Sequence, residues 1–94
     1  MPLNLSTRVS VSPDVLMNVV DGQSVLLDLK AGRYFGLDEV GTRMWQVLTA
    51  SQSVEAAYTV LLAEYDVEPG RLREDLLALA EKLIENGLLE AHSA

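Results

Sequence analysis

From Val15 onward, short apolar runs alternate with turn dipeptides. Val15-Leu16-Met17-Asn18-Val19-Val20 is rich in β-formers and stops at Asp21-Gly22. Asp-Gly between two such runs is a strong hairpin signal, because both turn positions favour positive φ. Ser24-Val25-Leu26-Leu27-Asp28-Leu29-Lys30 predicts the second strand, Ala31-Gly32 a further tight turn, and Arg33-Tyr34-Phe35-Gly36-Leu37 a short third strand. Three such strands in succession make an antiparallel meander.

At Asp38 the period changes from two to 3.6. Asp38 predicts an N-cap, with Glu39 favourable in the first helical turn. Val40, Met44, Val47 and Leu48 then mark one helix face, and Trp45 falls off it. Gly41 inside this helix points to a close approach by another element. The helix is expected to end over Thr49-Ala50-Ser51-Gln52. Ser53 caps a second helix with Val54, Ala57, Tyr58, Leu61 and Tyr65 on one face. Asp66 to Gly70 is read as a loop, with Pro69 suited to a first helical position. The third helix runs to about Asn86, with Gly87 just past its end. The order, three strands then three helices, predicts an α+β domain with a winged helix-turn-helix-like arrangement. Residues 1–14 read as a flexible N-terminal arm, with at most a short extended piece from Arg8 to Val11. Residues 15–90 form the domain and 91–94 a C-terminal tail.

The 94-residue length allows one core, and 49% apolar residues supply it. No apolar run approaches the roughly 20 residues of a membrane span. Met1-Pro2-Leu3-Asn4 has neither a basic segment nor an apolar stretch, so no secretion signal is expected. The absence of cysteine excludes disulfides, thiolate metal sites and a cysteine nucleophile. A cytoplasmic protein is expected.

The net charge of −7 is unevenly placed. Residues 1–37 balance Arg8, Lys30 and Arg33 against Asp14, Asp21 and Asp28. Residues 38–94 set four bases against eleven acids and carry the whole excess. Such a helical half repels nucleic acid and attracts a basic peptide. Catalysis is poorly provisioned. The sole histidine, His92, sits in the tail, where a frayed end cannot preorganise a general base. No glycine pattern fits a phosphate loop. Glu74, Glu81 and Glu85 share a helix face that reads as solvated rather than metal-binding. The chain is therefore read as a non-enzyme without cofactor or metal.

Two features suit binding. The meander's last strand, Arg33-Tyr34-Phe35-Gly36-Leu37, is an edge with unpaired main-chain groups, no proline and no inward charge. Such an edge invites strand addition by a peptide. Against this stands the alternative that the N-terminal arm, Arg8 to Val11, covers the edge or pairs elsewhere. The third helix carries Leu72, Leu76, Leu79, Ala80, Leu83 and Ile84 in a stripe of roughly 160°, extended by Leu77. One core face needs only about 100°. The excess fits packing against several elements, or a margin lining a groove. The margin of Leu72, Leu79 and Leu83, rimmed by Asp75 and Lys82, is favoured over the opposite one of Leu77 and Ile84, rimmed by Arg73 and Glu81.

Asp28 to Trp45 also resembles the PqqD-like family, named for a small protein of pyrroloquinoline-quinone synthesis. The fingerprint is a strand followed by Leu37-Asp38-Glu39-Val40-Gly41 and then Met44-Trp45. The helix ending Leu83-Ile84-Glu85-Asn86-Gly87-Leu88-Leu89 is similar too, so the resemblance spans about residues 15–90. Gly32-Arg33-Tyr34-Phe35-Gly36-Leu37 is most similar to the stand-alone members of lasso-peptide gene clusters. The resemblance implies a recognition element for ribosomally made, modified peptides that takes the leader of a precursor peptide as an added strand. It implies the edge Arg33 to Leu37 and a cleft beside Leu72 to Leu83. It also implies partners: a separate cysteine-type leader peptidase and a cyclase. A monomer without nucleic-acid or membrane binding is expected. The rival readings are a winged-helix DNA-binding module, which the charge opposes, and a dimerisation domain that uses the same Arg33 to Leu37 β-edge for self-pairing.

Overall fold

The computed structural model describes residues 5–51 and 53–92. The first four residues of the expected arm, Gln52 at the expected end of the first helix, and the last two residues of the tail lie outside this range. The elements are β1 (Arg8–Val11), β2 (Val15–Val20), β3 (Gln23–Asp28), β4 (Arg33–Leu37), α1 (Glu39–Ala50), α2 (Val54–Glu64), α3 (Pro69–Glu85) and β5 (Leu89–His92). The meander and the three helices fall where the sequence pattern puts them.

β2, β3 and β4 form an antiparallel sheet in that order. Asp21 and Gly22 turn β2 into β3 with φ of 53° and 81°, the left-handed pair that a two-residue hairpin requires. β3 stops at Asp28, two residues earlier than its apolar pattern suggests. The Asp28 carboxylate accepts from the Lys30 and Ala31 amides, and the Gly32 N–H bonds the Asp28 carbonyl at 2.8 Å. The side chain thus diverts the strand into a four-residue loop closed by Gly32 at φ 69°.

Register sets the two faces of the sheet. Ser24 lies opposite Leu37 and Leu26 opposite Phe35, and this face packs on the helices. The other face carries Leu16, Val25 and Tyr34 toward solvent. The buried Ser24 hydroxyl pairs with Thr42 Oγ1 at 2.7 Å, which lets both polar groups enter the core.

α1 starts at the Asp38 cap, whose carboxylate accepts from the Gly41 amide at 2.7 Å. A Cβ on Gly41 would meet that carboxylate at 3.2 Å and Leu37 at 3.3 Å. The close approach is therefore to the helix's own cap and the end of β4. The buried face of α1 is wider than the predicted stripe, with Thr42, Met44, Trp45, Val47 and Leu48 all enclosed. α1 touches β1, β3, β4 and α2, so Trp45 becomes core. Val40, in the overhanging first turn, is exposed. Arg43 on α1 clasps Glu64 on α2 through two bonds of 2.8 and 2.7 Å.

The largest departure lies at the chain's two ends. Arg8–Val11 is not a loose arm but β1, paired antiparallel with β5, and Val9 and Leu89 are buried. Just before it, the Thr7 and Leu5 carbonyls accept from the Val54 and Glu55 amides, at 2.9 and 2.8 Å. They satisfy first-turn donors that have no partner within α2. The polar composition hides this role because the segment works through its main chain and a single inward valine. At the other end, Leu88 N–H bonds Leu83 and Gly87 N–H bonds Ile84, with Gly87 at φ 75°. This Schellman closure aims the chain into β5.

Candidate peptide-binding edge

The bonding direction of each sheet residue follows from one fixed point. Asp14 accepts from the Leu29 amide at 2.9 Å across the β2–β3 hairpin. Bonded pairs alternate along an antiparallel ladder, so Leu16, Asn18 and Val20 bond toward β3 while Val15, Met17 and Val19 face outward. On β3 the same alternation directs Ser24, Leu26 and Asp28 toward β4. Their partners Leu37, Phe35 and Arg33 therefore bond inward. Tyr34 and Gly36 are left with N–H and C=O directed at the open edge. These two residues hold the free main-chain groups, a detail that alternation of side chains alone does not reveal.

Among the described residues β4 pairs only with β3, and β1 pairs with β5. The segment that could have covered β4 is thus engaged elsewhere. Tyr34 is 78% exposed on the outer face. Phe35, half-buried, lies on the helix side with Arg33. Gly36 leaves open space where a Cβ would stand. Beside it lies an open depression of about 530 Å³, whose lining includes Asn18, Val25, Gly36 and Leu37. Asn18 and Val25 were not among the residues the sequence pointed to, because they come from two other strands. Only the register brings them beside Gly36.

α3 flanks this edge. Lys82 Nζ lies 5.8 Å from the centroid of the Phe35 ring, a cation–π distance. This contact orients the helix: the side bearing Asp75, Leu79 and Lys82 is turned toward β4, and the Leu77 and Ile84 side is turned away. The predicted residues differ in availability. Leu72, Leu76 and Leu83 are core side chains, at most 4% exposed, so they support the wall from behind rather than line it. Leu37 is likewise buried and anchors the strand to α1. Leu79 is half-buried, and Asp75, Lys82 and Arg33 are exposed. Asp75 leans toward Arg71 at 3.7 Å. Among the described residues, Lys82 and Arg33 have no carboxylate within ion-pair distance. The cleft therefore carries both signs of charge: Lys82 lies over the Phe35 ring, Arg33 shares the strand face with that ring, and Asp75 stands on the same side of the helix.

His92 is not frayed. It is part of β5, and its Nε2 lies 2.7 Å from Ser10 Oγ. The pair is exposed, and no carboxylate among the described residues lies within ion-pair distance of the ring. It lacks the orienting acid of a nucleophile–base system. No cluster of three potential metal-ligating His, Cys, Asp or Glu side chains occurs among the described residues. No helix there is long and apolar enough to cross a membrane.

The family model for coenzyme PQQ synthesis protein D matches residues 23–89. The chain belongs to the PqqD family. Two solved structures resemble this PqqD-family chain throughout. TbiB1, solved in complex with the TbiA(beta) leader peptide, is 34% identical with a TM-score of 0.81, over 90% of this chain and 99% of that one. A lasso peptide synthetase B1 complexed with its leader peptide is 29% identical with a TM-score of 0.78, over 88% and 98%. No curated protein matches the sequence.

Proposed function

We propose that this PqqD-family protein captures the leader segment of a ribosomally made precursor peptide, of the lasso class, as a fourth strand on β4. The observation that carries this reading is the open β4 edge standing beside the Leu79–Lys82 side of α3. It lies in a fold that matches TbiB1, a leader-bound protein, over nearly its whole length. Main-chain bonds to Tyr34 and Gly36 hold the peptide without reading its sequence. Side chains alternate across the added strand. Those on the helix side meet Phe35, Leu79, Lys82 and Arg33, which suit an apolar anchor flanked by an acidic group. Those on the outer side meet the depression beside Gly36.

The protein is an adaptor rather than an enzyme. It presents the bound precursor, in the cytoplasm where that precursor is made, to a separate cysteine-type leader peptidase and then to a cyclase. Incubated alone with the precursor, it should leave the peptide intact. The test is calorimetric titration of a synthetic lasso-precursor leader peptide into the wild type and Gly36→Pro. The wild type should bind and the folded proline variant should not. Equal affinities would mean that the peptide sits elsewhere.

A further inference from the structure

The sheet has a second open edge, and we propose that two copies of this chain pair through it, β2 against β2, to form one six-stranded antiparallel sheet. This departs from the monomer expected from sequence, and it does not depend on the peptide-capture reading.

Among the described residues β2 pairs only with β3. Its free groups belong to Val15, Met17 and Val19, one residue more than β4 offers. Val15 to Val20 contains no charge and no proline, the usual protections of an exposed edge. Both of its faces expose apolar side chains, with Leu16 55% and Val20 62% exposed on either side of Asn18 on one face and Met17 and Val19 exposed on the other.

The second copy is the fitting occupant because the strand is self-complementary. In a ladder, outward-bonding residues must oppose outward-bonding residues. The centred two-fold register meets this rule, with Met17 opposite Met17 of the second copy and Val15 opposite its Val19. Leu16 then faces Asn18, and Asp14 faces Val20. The slip by one residue that would set Asp14 against Asp21 opposes outward to inward groups, so no ladder forms. No like charges meet at the contact. The charge distribution favours the same geometry. Residues 1–37 are neutral, whereas residues 38–94 carry the entire −7. Pairing through β2 joins the neutral halves and keeps the acidic helical halves apart. It also leaves β4 free at both ends of the sheet.

The test uses the intact chain, which has no cysteine of its own. Light scattering over a concentration series should show the mass rising from 10.3 kDa toward twice that value at high concentration. Met17→Lys, which opposes two charges across the two-fold, should keep the mass at the monomer value, and Gly36→Pro should not. Independently, Met17→Cys should form a disulfide dimer under mild oxidant many times faster than Tyr34→Cys, because the two-fold puts its Cα atoms at bridging distance. A wild-type mass that stays monomeric at every concentration would overturn the proposal. So would a dimer lost in Gly36→Pro but kept in Met17→Lys, or equal cross-linking of the two cysteine variants.

Discussion

The two open edges of the three-stranded sheet, β4 and β2, differ in what stands beside them. β4 has a helix alongside, a half-buried aromatic, two cations without an ion-pair partner among the described residues, and a glycine that keeps its outer face low. β2 has apolar side chains on both faces. Main-chain groups alone are equally sticky at either edge. The difference teaches that an edge becomes a selective peptide site only where a side-chain wall accompanies it. Without such a wall it offers generic pairing.

The largest expected effect breaks the β4 edge directly. Gly36→Pro removes an outward donor and places a ring where the incoming strand would bond, so leader binding should fall at least about tenfold with the fold retained. Phe35→Pro removes an inward donor from the β3–β4 ladder and should instead lower stability by about 3 kcal/mol or more, seen as a lower melting temperature. Were the two prolines to behave alike, the assigned bonding parity would be wrong.

The next contrast separates wall from support. Leu76→Ala empties a fully buried site and should cost about 2–5 kcal/mol of stability. Leu79→Ala, half-buried at the cleft, should cost less stability but about 1–3 kcal/mol of leader binding. Denaturation and calorimetry on both variants would show the crossover. A smaller effect is expected at the rim. Lys82→Glu should weaken binding of an acid-bearing leader by about 1 kcal/mol or less, and the loss should shrink as salt is raised. Asp75→Ala, already directed at Arg71, should matter less still.

The smallest effect lies outside the cleft and serves as its control. Arg43 holds the Glu64 carboxyl below its ordinary range through their hydrogen bonds and charge. A carboxyl lowered in the folded state stabilises above its unfolded pKa and loses that contribution as pH falls through the folded pKa. Glu64→Gln should therefore slightly flatten the acid side of the stability profile, followed by thermal melts, and leave leader binding unchanged.

Which parts of this were readable from sequence follows from the range of the signals. The meander, the helices and the caps at Asp38 and Ser53 are local patterns, and they stand as read. The β4 edge was legible because Arg33–Leu37 has no proline and only Arg33 and its shortness to protect it. The β1–β5 pair was not, since it joins residues about 80 positions apart, and the β1 segment offers one buried valine as its signal. The helix margin was only half legible. Periodicity marks Leu72, Leu76 and Leu83 as apolar, but not that sheet and sister helices enclose them. The Lys82–Phe35 contact, which fixes the side facing β4, exists only in three dimensions.

Amide hydrogen exchange, read residue by residue along β4 with and without the precursor's leader, tests strand addition to this edge most directly. In the free protein Phe35 should already be protected by β3, and Tyr34 and Gly36 should exchange freely. Leader addition should slow exchange at Tyr34 and Gly36 together. A leader that binds while both amides still exchange freely would contradict strand addition at β4.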